Sequence, residues 1–305
     1  MSNQNSKTLT MGFADWALLF LLGFIWGGSF LFARIAVLEI PPMTLVFLRV
    51  AIAAIGLNIF MFMKSSAYKH TFKSWTDFAI MGVLNNIIPF GLIFYGQQEI
   101  GAGLAAIVNA MTPIWTLLIA HFTTSDEHLS RGKIVGILLG FVGVAVLIGP
   151  DALSGLGGAV VAQLAVLGAT ISYGFAGVFG KRFASVPPIQ TARGQLTMST
   201  IIMLPIAAYA DQFWTLPLPS ANAVWSVVLL ALLCTAYAYI LYFKILARSG
   251  AVNISLVTLL VPVSAILLGS IVLSEAITGI QLAGMALILF GLLVIDGRLF
   301  TRVKK

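Results

Sequence analysis

Apolar residues run along this chain in ten long blocks, at roughly 15–37, 43–63, 75–97, 102–122, 132–149, 159–181, 191–210, 222–244, 251–273 and 278–296. A helix that crosses the hydrocarbon of a bilayer needs about 20 mostly apolar residues. The pattern therefore predicts an all-α polytopic membrane protein of ten transmembrane helices. The gaps carry stop signals: Pro41-Pro42, Ser65-Ser66, Thr123-Thr124-Ser125, Gly149-Pro150, Pro187-Pro188, Pro217-Leu218-Pro219 and Ser249-Gly250. Residues of these types end helices and turn the chain.

Composition and charge add orientation. Hydrophobic residues make up 60% of the chain and charged residues 9%, against about 25% charged in a soluble domain. So apolar a surface could not be held in water. Cytoplasmic loops are enriched in Lys and Arg, and fifteen of the seventeen lie in alternate gaps or at the termini. They are Lys7, Lys64, Lys69, Lys73, Arg131, Lys133, Lys181, Arg182, Arg193, Lys244, Arg248, Arg298, Arg302, Lys304 and Lys305. Arg34 and Arg49 fall toward the other side. This predicts an inner (plasma) membrane protein with both termini cytoplasmic and the 211–221 loop external. The net charge of +7 is then mostly an orientation signal. Charges scattered over short loops make a poor nucleic-acid surface, so no nucleic-acid partner is expected. The first block is too long for a signal-peptide core and reads as a retained helix. The lone Cys234 allows no disulfide framework and no Cys-based metal site. No metal or cofactor is expected, and the short loops leave no room for a soluble catalytic domain.

The chain repeats itself. Residues 15–149 resemble residues 159–296 in an ordered series of matches. Trp26-Gly27 aligns with Tyr173-Gly174, Arg34 with Lys181, Pro41-Pro42 with Pro187-Pro188 and Arg49 with Gln195. Phe94 aligns with Phe243, Gly101-Ala102 with Gly250-Ala251 and Pro113 with Pro262. Glu127 aligns with Glu275, Gly136 with Gly284 and Gly143 with Gly291. The offset drifts only from 146 to 149. Each half holds five blocks, an odd number, so the second half must enter the membrane from the opposite face. Two inverted five-helix repeats are a recurring architecture of secondary transporters.

These motifs carry a family resemblance over nearly the whole chain. Trp26-Gly27-Gly28-Ser29-Phe30 with Arg34, the Pro42 to Arg49 stretch, and Gly101 through Pro113 to Glu127 are similar to those of the drug/metabolite transporter superfamily, EamA type. The second copies run from Gly250 through Pro262 to Glu275, Gly284 and Gly291. The resemblance implies a basket of ten helices with a cavity between the halves and export or exchange of small metabolites, amino acids among them. It says little about which substrate. Tyr173 in place of Trp26 and Gln195 in place of Arg49 imply that the two cavity walls differ.

Polar groups deep in hydrocarbon are costly unless satisfied or facing water, so those near block centres are the candidate cavity lining. Substrate-binding candidates are Trp26, Ser29, Asn85, Asn86, Tyr95, Trp115, Tyr173, Thr235 and Tyr239. Asn109, Thr112, Tyr237, Ser255, Thr258 and Ser264 join them as further polar positions. Each has a plainer role as an interfacial aromatic or as a bond between helices. Pro113 and Pro262 sit mid-block at matched positions and are the candidate hinges, because an interior proline removes a helix hydrogen bond. Arg49 could receive a substrate carboxylate, or it could pair with Glu39, Glu99 or helix-end carbonyls, which is the reading favoured here. Arg34 would snorkel to the interface. Glu127 and Glu275 precede the fifth and tenth blocks and would cap them. Gly136, Gly140 and Gly143 make a smooth packing face.

No Asp or Glu falls in the central part of any block, and His121 lies at a cytoplasmic end. Proton- and sodium-coupled carriers commonly use such carboxylates, so a carrier running down its substrate gradient is expected. The leading reading is an exporter of small metabolites, amino acids first. Nucleotide-sugars, drugs or other solutes are the alternatives, and a membrane receptor or sensor is the alternative outside transport. An enzyme is not expected, because no nucleophile with its base, aspartate pair or metal cluster stands at membrane depth. The lipid bilayer and a small-molecule substrate are the expected partners, with monomer and homodimer both open.

Overall fold

The computed structural model describes residues 12–64, 72–124, 129–148, 157–242, 244–245, 254 and 257–296. Among the described residues the regular structure is helical, with no strand. The first copy forms α1 (Phe13–Val37), α2 (Pro42–Met63), α3 (Phe72–Gly82), α4 (Ile88–Gly96), α5 (Ala102–Asn109), α6 (Thr112–Thr123) and α7 (Arg131–Ile148). The second forms α8 (Gly158–Phe179), α9 (Pro188–Asp211), α10 (Ala221–Ala231), α11 (Val257–Leu273) and α12 (Gly279–Asp296). A π-helical turn, Val83–Ile87, joins α3 to α4, and a second, Leu232–Tyr237, follows α10. Among the described residues, six segments are long and apolar enough to cross a membrane: Phe13–Val37, Pro42–Met63, Ser74–Gly96, Ala102–Thr123, Gly158–Phe183 and Ala221–Tyr242. Val257–Leu273 and Gly279–Ile295 are shorter apolar helices. Large apolar side chains such as Phe24, Ile55, Leu138, Ile201 and Ile271 point outward, which lipid tolerates and water would not.

Local sequence explains the boundaries. Pro42 and Pro188 occupy the first turns of α2 and α9, where a missing N–H costs nothing and the fixed φ suits a helix start. Gln212 (φ 46°) ends α9 and Ser274 (φ 54°) ends α11, both in the left-handed region. The matched prolines behave differently from the kinked pair expected. The fourth block is broken at Ala110-Met111, and Pro113 stands in the first turn of α6, where it starts a helix. Pro262 lies inside α11.

The packing repeats when one copy is exchanged for the other. Helix α1 lies on α10 and α11, while α8 lies on α4 and α6; α2 crosses α9, and α7 crosses α12. A β-carbon on Gly27 would stand 2.8 Å from the Ala265 backbone nitrogen, and one on its repeat mate Gly174 would stand 3.0 Å from the Trp115 carbonyl carbon. Backbones this close need glycine. On α7, a β-carbon on Gly136 would meet the Gly291 carbonyl oxygen at 2.5 Å, and one on Gly143 would meet that of Gly284 at 2.8 Å. The numbers rise on one helix as they fall on the other, so α7 and α12 run antiparallel. Likewise Thr44 faces Asp211 while Asn58 faces Arg193 along α2 and α9. Equivalent helices of the two copies therefore point in opposite directions, as an inverted repeat requires.

Candidate functional site

The two π turns position the polar groups of the interior. A π turn inserts one extra residue into a helix and disturbs its hydrogen-bond ladder, and such turns gather at functional sites. In the second, the Thr235 hydroxyl donates to the Leu230 carbonyl, five residues back, at 2.8 Å. In the first, the Asn85 amide donates to Gln195 Oε1 at 3.1 Å and to the Tyr239 hydroxyl at 3.2 Å. Asn85-Asn86 and Cys234-Thr235 are repeat mates, and Asn85, Cys234 and Thr235 line the same space.

That space is a cavity of about 670 Å³ between the two copies. Its lining residues Ala184 and Pro188 are exposed, at the end of the bundle that carries Lys181 and Arg182, whereas Phe30, Ala33 and Gln97, toward the opposite end, are buried and leave that end closed. Aromatic rings dominate the wall. Trp26 and Tyr242 lie with ring centroids 5.7 Å apart, and Phe30, Phe90, Phe94, Tyr173, Phe183 and Tyr239 also line it.

Arg49 is the one charged side chain among the described lining residues, which include no Asp or Glu. It is 8% exposed. Its Nε donates to Thr235 Oγ1 at 3.0 Å, and its guanidinium carbon stands 3.7 Å from the Phe90 ring centroid and 5.8 Å from that of Phe94. A cation over a ring in a desolvated site gains about 2 kcal/mol. None of the pairings favoured from sequence is made. Glu39 accepts from the Ser220 backbone N–H and hydroxyl, both at 2.6 Å, and Glu99 lies against Gly158. Among the described residues Nη1 and Nη2 have no protein acceptor.

Of the other candidates, Trp26, Ser29, Asn85, Tyr173, Thr235 and Tyr239 line the cavity, as do Asn109, Thr112, Thr258 and Pro262. Four candidates stand elsewhere. Tyr95 is half exposed on the outer face. Asn86 is fully buried and donates to Ser199 Oγ at 3.0 Å, joining the first π turn to α9. Trp115 packs edge-on against Phe141, with centroids 5.4 Å apart. Pro113 begins α6 away from the wall. Tyr237 is also largely exposed, and Ser264 donates to its own helix at Leu260 O. Ser255, Glu127 and Gly250 lie outside the described residues. Lining residues that were not among the sequence candidates include Gln97, Gln195, Phe90, Thr116 and Tyr242. Gln195 had a usable signal, because it is the repeat mate of Arg49.

The closed end is fastened by carboxylates that reach from one copy to the other. Glu275 does not cap the helix that follows it. Its Oε1 and Oε2 accept from the backbone N–H groups of Ala102 and Gly103 at 2.9 and 3.2 Å, capping α5 of the other copy. Asp211 Oδ2 accepts from the Thr44 N–H at 2.6 Å and hydroxyl at 2.8 Å, at the start of α2. Glu39 holds Ser220, which caps α10. Each places negative charge at the positive end of a helix. Arg34, expected to snorkel, instead donates to the Gln97 and Gln98 carbonyls at the end of α4.

Comparison with known proteins agrees with this architecture. The profile of a family described as the EamA-like transporter family matches residues 16–149 and again residues 160–296. An uncharacterized transporter, YoaV, of Bacillus subtilis (strain 168) is 29% identical over 276 residues, covering 88% of this chain and 91% of its own. A protein of Escherichia coli (strain K12) called a probable amino-acid metabolite efflux pump is 26% identical over 291 residues, covering 92% and 94%. An uncharacterized inner membrane transporter, YedA, of the same strain is 25% identical over 280 residues, covering 91% and 89%. One crystal structure, 20% identical, superposes with a TM-score of 0.66 over 96% of this chain and 99% of its own, a likeness of fold.

Proposed function

We propose that this chain, which belongs to the EamA-like transporter family, exports small metabolites, amino acids first among them, by alternating access around the cavity between its two copies. It is a multi-pass membrane transporter. The observation that carries the finer reading is a cavity lined by two oppositely directed halves, with exposed lining residues at its Ala184–Pro188 end and buried ones at its Gln97 end. Rocking of such halves exposes one site to either side in turn. The open end bears Lys181, Arg182 and Arg193, and basic loops mark the cytoplasmic side, so this state faces the cytoplasm of an inner membrane crossed ten times. Relatives called amino-acid metabolite efflux pumps support the substrate class. A cationic drug suits the site poorly, because Arg49 would repel it.

With no carboxylate among the described lining residues, export runs down the substrate gradient without proton coupling. Purified protein in proteoliposomes loaded with a panel of amino acids should show saturable counterflow without a pH gradient and unaffected by a protonophore. Tyr173→Ala should cut that rate on the order of tenfold, whereas Tyr95→Ala, on the outer face, should leave it unchanged. Counterflow of another solute class and of no amino acid would overturn the substrate reading. Strict dependence on a pH gradient would overturn the coupling reading and turn attention to His121.

A further inference from the structure

We propose that Arg49 is the carboxylate anchor of the cavity, so that the cargo is a compound bearing a free carboxylate on an apolar or aromatic body. This rests on the transport reading above and names the chemistry its substrate must carry. A guanidinium kept for structure spends its donors on protein acceptors. Arg49 spends one, Nε, on Thr235 Oγ1, and that bond fixes the plane of the fork. The Phe90 ring supports one face of it. Nη1 and Nη2 are left as a parallel pair of donors lining the cavity, the geometry that receives the two oxygens of a carboxylate.

Charge selects among anions. The described lining offers one positive charge and no negative one. A monovalent carboxylate neutralises it, whereas a phosphate dianion would carry an uncompensated charge into an aromatic cavity. An ammonium group on the same substrate also has acceptors. Gln97 Oε1 and Asn109 Oδ1 belong to lining residues, are covered in this state and have no hydrogen-bond partner among the described residues. Gln97 follows Phe90 and Phe94 at helical spacing along one face, past the rings on which the guanidinium rests. A zwitterion with its carboxylate on Arg49 therefore has neutral carbonyl oxygens, and no acid, among the lining residues for its ammonium.

The test uses the full chain purified in detergent, with quenching of tryptophan fluorescence as the binding signal, since Trp26 lines the cavity. The probes are phenylalanine, 3-phenylpropanoate and phenylalaninamide. Both acids should bind, and the amide should bind on the order of 10- to 100-fold more weakly. Arg49→Gln should erase the gap between acid and amide. Arg49→Lys keeps the charge but loses the fork, so it should narrow the gap, and it carries the test if the glutamine variant does not fold. Equal binding of acid and amide to the native protein, failure of both acids to bind, or a preference that survives in Arg49→Gln would overturn the proposal. Counterflow of the same probes separates the two readings. Binding without counterflow would sink transport and leave the anchor standing, whereas counterflow indifferent to the carboxylate would sink the anchor alone.

Discussion

Gly143→Leu should cost the protein its fold before it costs any transport. The β-carbon alone would lie 2.8 Å from the Gly284 carbonyl oxygen and 2.9 Å from the Ile288 nitrogen, both backbone atoms of α12. No rotamer change relieves such a contact, so α7 and α12 must separate. In lipid there is no hydrophobic force to hold helices together, and close packing supplies most of the attraction. Separation therefore loses dispersion contacts along the whole seam while adding strain. Overpacking costs roughly 1–3 kcal/mol in ordinary cores, and on the order of 3 kcal/mol or more is expected where backbone meets backbone. The check is the yield and melting midpoint of detergent-purified protein, with Gly132→Leu as control. A β-carbon at Gly132, in the first turn of α7, meets nothing within 4 Å, so that variant should melt like the native protein. Equal midpoints for the two variants would refute the packing account.

Removing the three carboxylates at the closed end should turn the cavity outward. Glu39, Asp211 and Glu275 each satisfy helix-start donors belonging to the other copy. If the halves rock apart there, all three sets of bonds break. A lost cap is worth about 1 kcal/mol, and distant sites add. Asp211→Ala and Glu275→Ala together should shift the inward–outward balance by about 2 kcal/mol, on the order of 30-fold, and adding Glu39→Ala should move it further in the same direction. A cysteine at Ser29, in a Cys234→Ala background, should then react faster with a membrane-impermeant thiol reagent added outside and more slowly with one added inside. An unchanged labelling pattern would show that the three contacts do not select the state. Acid provides a partial version of the experiment. Donation by the Ser220 hydroxyl, and then by its backbone N–H, holds the Glu39 carboxyl below its usual value. This contact is therefore complete at neutral pH and is lost only as the medium at that end is acidified through that lowered value.

The helices and the repeat were readable because each depends on a property that sequence displays directly. Apolar length marks a helix in lipid, and glycines at matched positions mark backbones that must touch. Gly27 and Gly174, or Gly136 and Gly143, cannot be replaced without moving a helix, so the spacing of both copies carries the packing in plain view. The cavity wall was only partly readable, because it depends on helical phase. Asn85 and Asn86 are neighbours about 100° apart around a helix, and one lines the cavity while the other binds α9. Which does which is set by the π turn between α3 and α4, for which the polar pair was the only hint. Trp26 and Trp115 looked alike in depth, yet the break at Ala110-Met111 re-aims α6 and leaves Trp115 against Phe141. From sequence, an embedded guanidinium is expected to be paired, with Glu39, Glu99 or helix-end carbonyls as the candidate partners. Only the folded arrangement reveals that Ser220 has taken the first and that the second lies against Gly158.

The paired π turns make the wall of the cavity able to screw as well as tilt. Each holds one residue more than a regular helix would place in that length. Absorbing the surplus residue, or passing it along the rod, would rotate everything beyond it by about 100°. On the first rod that motion would swing Asn85 off Gln195 and Tyr239; on the second it would take Thr235 away from Arg49 and free the Nε it now occupies. A slip of one residue could thus exchange which donors the cargo meets, with no side chain changing rotamer. Because residues of both slip sites line the same cavity, a single bound molecule would sense the register of both rods at once.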